Sequence, residues 1–479
     1  MPKFVLLWTD AAIWLLLAAF AAYAAMVYRN ANLRATWTKV FQNGAALSAS
    51  IVLVLSLLVT LADSLHYRPL LPSAGNGATA AYDTRVKSAL DALMARTAEA
   101  RESTYSVPLA YVGFTKESVK VNDEVVRTAP RLVHGGAHLK DPATEWLGDV
   151  LSRVASGLGG GLAATVVLLG IGLALVARGQ GGDVSATLKA ITGRQTRVPW
   201  HVAGWTVTVL CLVIGPVVAL TGHYHVFGTD ITGNDVLYQT LKSIRTAFVI
   251  GSLATLATLP LAVTLGIMAG YFKGWVDELI QYVYTVLSSI PNILLIAACV
   301  LMVQVFLDKH PELFETGVER ADLKLFLLCM VLGVTGWAGL CRLLRGETLK
   351  LRELEYVQAA NAFGVGHWRI MSRHIFPNVA HLMLIVTVIE FSSLILYEAV
   401  LSYVGVGVDP SMNSFGGMIN FARNEMSRDP VVWWPFAAAF FFMVTLVLAA
   451  NLFADGVRDA FDPRARAQRP RLVTAKKPA

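Results

Sequence analysis

Charged side chains are scarce in this sequence. Of its 479 residues, 15% are charged and 55% are hydrophobic, whereas a soluble globular protein carries about 25% charged residues. So little charge excludes an ordinary soluble domain and indicates a protein that crosses a membrane several times. The net charge of +7 does not indicate nucleic-acid binding, because the basic residues gather in short loops between apolar runs, as in the positive-inside pattern.

Cysteine and catalytic motifs are also scarce. The four cysteines, Cys211, Cys299, Cys329 and Cys341, have neither CxxC nor zinc-site spacing, so we expect no disulfide framework and no metal site. The sequence contains no GxxxxGK[ST] loop, no HExxH pattern and no Ser-His-Asp order. We therefore expect no catalytic residues and no ATP or Mg site in this chain. "HGGAH" sets His134 and His138 four apart, but the glycine pair favours a surface loop over a metal pair.

Nine apolar runs are long enough to cross a bilayer, since a spanning helix needs about 20 apolar residues. They lie near residues 6–27, 45–64, 154–177, 200–221, 245–270, 278–303, 324–343, 381–404 and 431–453. The sequence thus predicts an all-α polytopic membrane protein.

Residues 65–150 form the one sizeable polar insert between these runs. Val86, Leu90, Leu93 and Thr97 recur at helical spacing, and "YSVPLAYVGF" and "SVKVNDEVV" resemble short strands, so we expect a small α+β domain. The predicted parts of the chain are spans in 1–64, the insert 65–150, a third span and linker in 151–199, a six-span core in 200–464 and a basic tail in 465–479.

The charges of the loops predict the orientation of the spans. Basic residues dominate the loops near 29–39, 178–197 and 342–373 and the tail after 464, whereas the loop near 304–323 is acidic. The positive-inside pattern then places the insert and the N-terminus outside and the C-terminus in the cytoplasm. We interpret the first run as a retained anchor, because this alternation of loops needs it and a cleavage pattern is indistinct.

One cytoplasmic segment, "EYVQAANAFGVGHWRIMSRHIFPN" (355–378), is polar but orderly. Its spacing predicts a short helix, a glycine turn, a second short helix and a stop at proline. The residues concerned are Tyr356, Ala359, Ala360 and Phe363 on the first helix, Gly364 and Gly366 in the turn, Trp368, Met371 and Ile375 on a second apolar stripe, Arg369 and Arg373 beside it, and Pro377 at the end. Spacing alone leaves two interpretations open: a protein-docking element, or an amphipathic helix lying on lipid headgroups.

This stretch resembles the cytoplasmic "EAA" loop of binding-protein-dependent ABC importer permeases. That pattern is Glu-Ala-Ala, three residues, Gly, nine residues, Ile, any residue and Leu-Pro. The matching positions are Ala359, Ala360, Gly364 and Pro377, and the departing ones are Gln358, His374 and Phe376. "RHIFPN" is similar to the "RHILPN" of dipeptide and oligopeptide permeases. The resemblance implies a coupling helix that docks on an ATPase subunit, by shape and packing because Gln358 lacks the family's charge.

Four other stretches resemble the same subfamily, in the expected order along 200–464. They are "FGTDITGNDV" (227–236), "AGYFKGWVDELI" (269–280), "YEAVLSYVGVGVDPSMNSFGGMI" (397–419) and "NLFADGVRDAFDPR" (451–464). The resemblance implies the type I ABC importer transmembrane fold, here preceded by three extra spans and the external insert. It does not extend to residues 1–199.

The resemblance also implies partners and a location. A permease of this kind sits in the bacterial inner membrane, pairs with a second permease, and works with two ATPase subunits that bind ATP and Mg and with an extracytoplasmic solute-binding protein. Peptides are the expected cargo. Nickel complexes or a modified peptide remain open alternatives, as does a non-transporting scaffold or sensor that uses the insert.

Two acidic residues, Glu390 and Glu398, lie within the eighth apolar run. An acid at the centre of a span costs about 2.5–3.5 kcal/mol on insertion scales, so each should face protein or water. Both are candidates for lining a translocation path. Glu398 lies near the outer end of its span and is expected to have a structural role, which makes Glu390 the better candidate.

Overall fold

The computed structural model describes residues 3–70, 82–83, 85–121, 124–314 and 316–461. Its helices before residue 200 are α1 (Trp8–Arg29), α2 (Ala31–Gln42), α3 (Gly44–Asp63), α4 (Ala89–Leu93), α5 (Ala95–Glu99), α6 (Pro142–Gln180) and α7 (Val184–Thr192). The later helices are α8 (Trp200–Leu220), α9 (Val236–Phe272), α10 (Gly274–Ser289), α11 (Asn292–Lys309), α12 (Gly317–Gly336), α13 (Ala338–Arg352), α14 (Glu355–Ala362), α15 (His367–Ile370), α16 (Phe376–Tyr403), α17 (Phe415–Glu425) and α18 (Trp434–Phe461).

The predicted membrane-spanning architecture is confirmed. Within the described ranges, eight helices are long and apolar enough to cross a bilayer, and the pair α12–α13, bent by 41°, makes a ninth if it counts as one span. We call the end of this bundle that carries residues 85–141 the insert end. The opposite end, which carries Arg345, Lys350, Arg352 and the segment 355–378, is the basic end.

The prediction of one span at 278–303 is wrong, because this stretch forms two helices with a break between them. Pro291 lies between α10 and α11, and Ile290 before it has extended backbone angles (φ −88°, ψ 133°). A proline disfavours helical angles in the residue before it and lacks an N–H for the helix ladder, so the helix stops there. Of the two helices, α11 meets the length and composition of a span.

The centre of the core is α9, which packs against α3, α12, α13 and α16. Its residues Val249, Ile250 and Ala254 are fully buried. A helix that is apolar all round is buried on all sides when neighbouring helices surround it. The long apolar run at 245–270 therefore marks the middle of the bundle.

Glycines bring α6 and α8 into close contact, as "GLGGG" (157–161) indicates. A Cβ atom on Gly161 would lie 2.5 Å from the carbonyl oxygen of Cys211, and one on Gly157 would lie 2.6 Å from the Cα of Pro216. Small residues let two helix backbones approach in a membrane, where van der Waals packing drives association. This pair joins the third span of the N-terminal part to the first span of the core.

A buried ionic network ties α1 to the core. The guanidinium of Arg245 on α9 lies 2.7 Å from the Asp10 carboxylate and 3.6 Å from that of Asp322 on α12. His66 on β2 pairs with Asp10 at 2.7 Å. Buried charges need such partners, because an unpaired ion in a low-dielectric interior is very costly. The N-terminal part is therefore packed into the bundle by specific contacts.

The insert combines short helices and strands, as predicted, but not all in the predicted places. Strands β2 (His66–Arg68) and β3 (Lys87–Ser88) form one antiparallel sheet with β1 (Lys3–Val5), which comes from the segment before α1, and β4 (Glu117–Val121) pairs with β5 (Glu124–Thr128) in another. The hairpin β4–β5 confirms the strand prediction for "SVKVNDEVV". "YSVPLAYVGF" forms no strand beyond one isolated bridge, Val112 to Arg131, because its backbone bonds to a loop of the core: Leu109 N–H donates to the His225 carbonyl at 2.9 Å.

Candidate functional site

The segment 355–378 begins as predicted, with a short helix and a glycine turn. Helix α14 is followed by Gly364, whose φ of +72° suits glycine because it has no Cβ. The chain then re-enters a helix at His367. Phe363 N–H donates to the Ala359 carbonyl at 2.9 Å and closes the end of α14.

The predicted stop at Pro377 is wrong, because Pro377 lies in the first turn of α16. A π-helical turn, Met371–Ile375, joins α15 to α16, so one helical path runs from His367 to Tyr403. Proline lacks an N–H and clashes with a carbonyl one turn earlier, and a π turn relieves such a conflict by adding a residue to the turn. Asn378 Nδ2 donates to the His374 carbonyl at 2.6 Å.

The predicted apolar face of α14 is divided between two sides. Val357 is 1% exposed and Ala360 is half-buried, and both pack against the core. Tyr356 and Ala359 are exposed, and Phe363 is 88% exposed. The helix thus anchors itself through Val357 and Ala360 and presents the other residues outward.

The predicted second stripe is divided in the same way. Met371 and Ile375 are buried, but Trp368 is 74% exposed. The remaining predicted side chains, Gln358, Arg369 and Arg373, are also exposed. We call Tyr356, Phe363 and Trp368, three exposed rings on one short segment, the exposed aromatic patch. Aromatic residues beside arginines are typical of protein–protein interfaces, where large exposed rings become buried.

Polar bonds hold the segment against α9 and α13. Lys273 Nζ lies 2.8 Å from Glu353 Oε1, and Gln358 Nε2 donates to the Glu353 carbonyl at 3.2 Å. Tyr271 Oη and His367 Nδ1 are 2.8 Å apart. The neutral side chain at Gln358 therefore helps to fix the start of α14, so the exposed aromatic patch sits on an anchored element.

The two acidic candidates lie far from this patch along α16. Glu398 is 1% exposed and accepts a hydrogen bond from Ser402 Oγ at 2.7 Å. Glu390 is half-buried, two helical turns closer to the basic end. The structure thus separates the predicted residues into a group at the basic end and a pair within the span.

A cavity of about 520 Å³ opens at the insert end, and sequence reasoning missed it. Its wall comes from the insert, the loop before α9, helices α11 and α12, and the chain from the end of α16 to the start of α18. Lining residues include Arg101, Asp230, Gln304, Lys324, Asn413 and Asn420. Two stretches that resemble the permease subfamily, 227–236 and 397–419, both contribute to it. Their clusters of Gly, Pro, Asn and Asp predict loops, but local sequence does not show that these two loops lie side by side.

A buried triad beside this cavity fastens the insert to the core. Glu102 accepts hydrogen bonds from the backbone N–H groups of Val133, His134 and Gly135 and lies 3.4 Å from His225, which pairs with Asp235 at 2.7 Å. Burial by itself disfavours the charged forms of Glu102 and His225. The hydrogen bond from His225 and the backbone bonds nevertheless lower the pKa of Glu102 to about 2. The bonds to Asp235 and Glu102 raise the pKa of His225 to about 9.

The histidine pair of "HGGAH" is separated in the structure. His138 Nε2 lies 2.8 Å from Asp149, whereas His134 contributes its backbone N–H to Glu102. Among the residues that the structure describes, no group of three or more His, Cys, Asp or Glu is placed to hold a metal ion.

Comparisons with known proteins bear on the helices from α9 onward. Residues 262–467 match the family described as binding-protein-dependent transport system inner membrane component. The chain is 32% identical over 248 residues to the oligopeptide transport system permease protein OppC of Mycobacterium tuberculosis, which covers 52% of this chain and 79% of that protein. It is 32% identical over 241 residues to the glutathione transport system permease protein GsiD of Pectobacterium atrosepticum, and this match covers 50% of this chain and 73% of that protein. It is also 30% identical over 243 residues to the dipeptide transport system permease protein DppC of Lactococcus lactis, and this match covers 50% of this chain and 64% of that protein.

Proposed function

Because this chain belongs to the family of binding-protein-dependent transport system inner membrane components, we propose that it is a permease subunit of an ABC importer that carries dipeptides or oligopeptides. Its relatives include permeases named for oligopeptides, dipeptides and glutathione. The glutathione permease among them supports a modified peptide as the second candidate cargo. The spans from α8 to α18 would supply this subunit's share of the translocation path.

The observation that carries the coupling role is the exposed aromatic patch at the basic end. Phe363 and Trp368 are large apolar rings left in water on an anchored helical element. Covering them with a partner's cleft would remove apolar surface from water at about 25 cal/mol per Å². We propose that this partner is an ATPase subunit, which binds ATP and Mg itself.

The continuous helix from α15 to α16 gives this docking a mechanical consequence. Movement of the exposed aromatic patch would be transmitted through the π turn into α16, which carries Glu390 and Glu398. Rigid secondary elements with two arrangements are the physical means by which distant sites couple. Closure of the ATPase subunits would thereby tilt or shift a core span, and the permease would alternate between outward-facing and inward-facing states.

The assembly follows from the same role. We propose a heterodimer with a second permease, two ATPase subunits at the basic end and a solute-binding protein at the insert end. The basic end would face the cytoplasm of a bacterial inner membrane, with the C-terminus inside and the N-terminus outside, since its Lys and Arg residues follow the positive-inside pattern.

The test replaces exposed residues of the segment. Ala359→Glu and Phe363→Ala should each lower ATP-dependent peptide uptake at least about tenfold and reduce the ATPase that copurifies with the chain, because a few interface anchors carry most binding energy. Phe441→Ala is the matched control, since Phe441 is 69% exposed within the span α18. Ala360 suits this test less, because it packs against the core. Normal uptake and normal copurification of ATPase in both segment variants would rule out the coupling role.

A further inference from the structure

The carboxylates in the wall of the insert-end cavity are already bonded within the protein. Their partners are Thr232, Asn234 and Gln239 for Asp230, Lys324 and Ser411 for Asp409, and Arg428 for Glu425. Asp230 alone accepts five hydrogen bonds, and a carboxylate has about four lone-pair sites. The carboxylates therefore have little capacity left to hold a metal ion or a cationic ligand.

The side-chain amides in the same wall have unused hydrogen-bonding capacity. Gln304, Asn413 and Asn420 are half-buried, and within the described part of the chain their side chains make no hydrogen bond. An amide offers two N–H donors and one carbonyl acceptor. Removing such a group from water without a partner costs free energy. The three amides come from α11, from the loop before α17 and from α17, so they line the cavity from different parts of the chain.

We propose that this cavity binds the main chain of a short peptide through these amides, an inference that rests on the proposed transport function and assigns it a substrate contact site. An amide can donate to a peptide C=O and accept from a peptide N–H, whatever side chains the peptide carries. A volume of about 520 Å³ is within the range of about 300–1,000 Å³ for small-molecule sites. Recognition of the main chain lets one site accept peptides of varied sequence.

The insert closes one side of this site. Its residues Arg101 and Tyr105 line the cavity, and the Arg101 Nε donates to the Thr232 carbonyl at 2.8 Å. The arginine supplies a positive charge for a peptide carboxyl terminus. The insert is thereby part of the site and not a separate appendage.

Ser402 connects the cavity to α16. Ser402 lines the cavity and donates to Glu398 on α16. The same helical path continues through the π turn to the segment 355–378. A peptide in the cavity would therefore contact the helix that the exposed aromatic patch moves.

The test uses the complex purified through a tag on this chain and placed in lipid nanodiscs without binding protein. Radiolabelled tri-alanine is the probe, and the matched depsipeptide, with ester oxygens in place of the N–H groups, tests main-chain recognition. We expect Asn420→Leu and Gln304→Leu to raise the Kd for tri-alanine at least about tenfold. The depsipeptide should bind about tenfold more weakly than tri-alanine to the unaltered complex.

Two further variants keep the result interpretable. Asn424→Leu, the same change on the same helix at an exposed position outside the cavity wall, should leave the Kd unchanged. Asn420→Gln, which retains the amide, should keep most of the affinity. An unchanged Kd in both Asn420→Leu and Gln304→Leu, with both complexes intact, would overturn the proposal.

Other outcomes separate this proposal from the transport function. A complex that imports tri-alanine with binding protein and ATP, yet binds none in nanodiscs, would refute the cavity site alone. A complex that imports no peptide would refute the proposed function. Asn420→Cys that crosslinks to a copurifying protein, with no protection by tri-alanine, would assign the cavity to that partner instead and overturn the peptide site.

Discussion

Arg245 of α9 and Asp10 of α1 form a buried ion pair, with Nη2 2.7 Å from Oδ1, although 235 residues separate them. Asp10 is fully buried and Arg245 nearly so. The pair joins the first span to the central helix, so the N-terminal part is held to the core by a charge contact as well as by apolar packing.

Breaking this pair should destabilise the chain strongly. Asp10→Ala leaves the Arg245 charge with a weaker set of partners, and loss of one member of a buried pair costs about 3–5 kcal/mol. Thermal unfolding in detergent should show a clear fall in melting temperature. Glu99→Ala removes an exposed partner of Lys87 and should change stability by less than about 1 kcal/mol. Equal melting temperatures for the two variants would contradict the role of the buried pair.

The triad of Glu102, His225 and Asp235 predicts a stability that depends on pH. Because the pKa of His225 is raised from 6.5 to about 9, its contribution is fully present below about pH 6.5 and is lost as the pH rises through 9. That contribution is on the order of 3 kcal/mol. Glu102, whose pKa is lowered from 4.5 to about 2, contributes above about pH 4.5 and loses its effect as the pH falls through 2.

Melting temperatures between pH 6 and 10 test the histidine. His225→Gln should remove most of the loss of stability between pH 6.5 and 9. His310→Gln, at the end of α11, should keep the pH profile of the unaltered chain. A His225→Gln profile that still falls as steeply as the unaltered one would show that other groups cause the loss.

The crossing of α6 and α8 should not tolerate a larger residue. Gly161→Ala places a methyl group 2.5 Å from the Cys211 carbonyl oxygen, so the helices must separate at a cost of about 1–3 kcal/mol. Gly160→Ala is the control, because nothing lies within 4 Å of its added Cβ. The thermal stabilities of the two variants should differ clearly, and equal values would refute the close crossing.

Pro377 should matter for coupling more than for folding. Pro377→Ala restores an N–H to α16 and favours a regular α-helix in place of the π turn, so stability should be unchanged or higher. The rotation of α14 relative to α16 would then change. We expect the amount of peptide imported per ATP hydrolysed to fall several-fold. Pro216→Ala, in α8 and outside the segment, is the matched control. An unaltered ratio of uptake to ATP hydrolysis in Pro377→Ala would remove the π turn from the mechanism.

Local pattern was enough to predict much of this protein. Apolar runs of about 20 residues predicted the spans, because a bilayer requires each span to satisfy its own backbone hydrogen bonds. The helix at Glu355–Ala362 and the turn at Gly364 followed from spacing and from the freedom of glycine. The segment 451–464 was recognised by its motif. The predicted basic tail, 465–479, lies outside the described residues.

Other features were decided by contacts between distant residues. Spacing placed Ala360 and Phe363 on one face, but the neighbouring core half-buries Ala360 and leaves Phe363 in water. The cavity joins the loops at 230–234 and 405–414, and Arg245 meets Asp10 across 235 residues. The sequence by itself therefore determined most of the segments that are helical and apolar enough to cross the membrane, since those depend on neighbours a few residues away, although it missed the break at Pro291. Only the tertiary structure decided which faces are covered and which charges meet, because these depend on how the helices pack together.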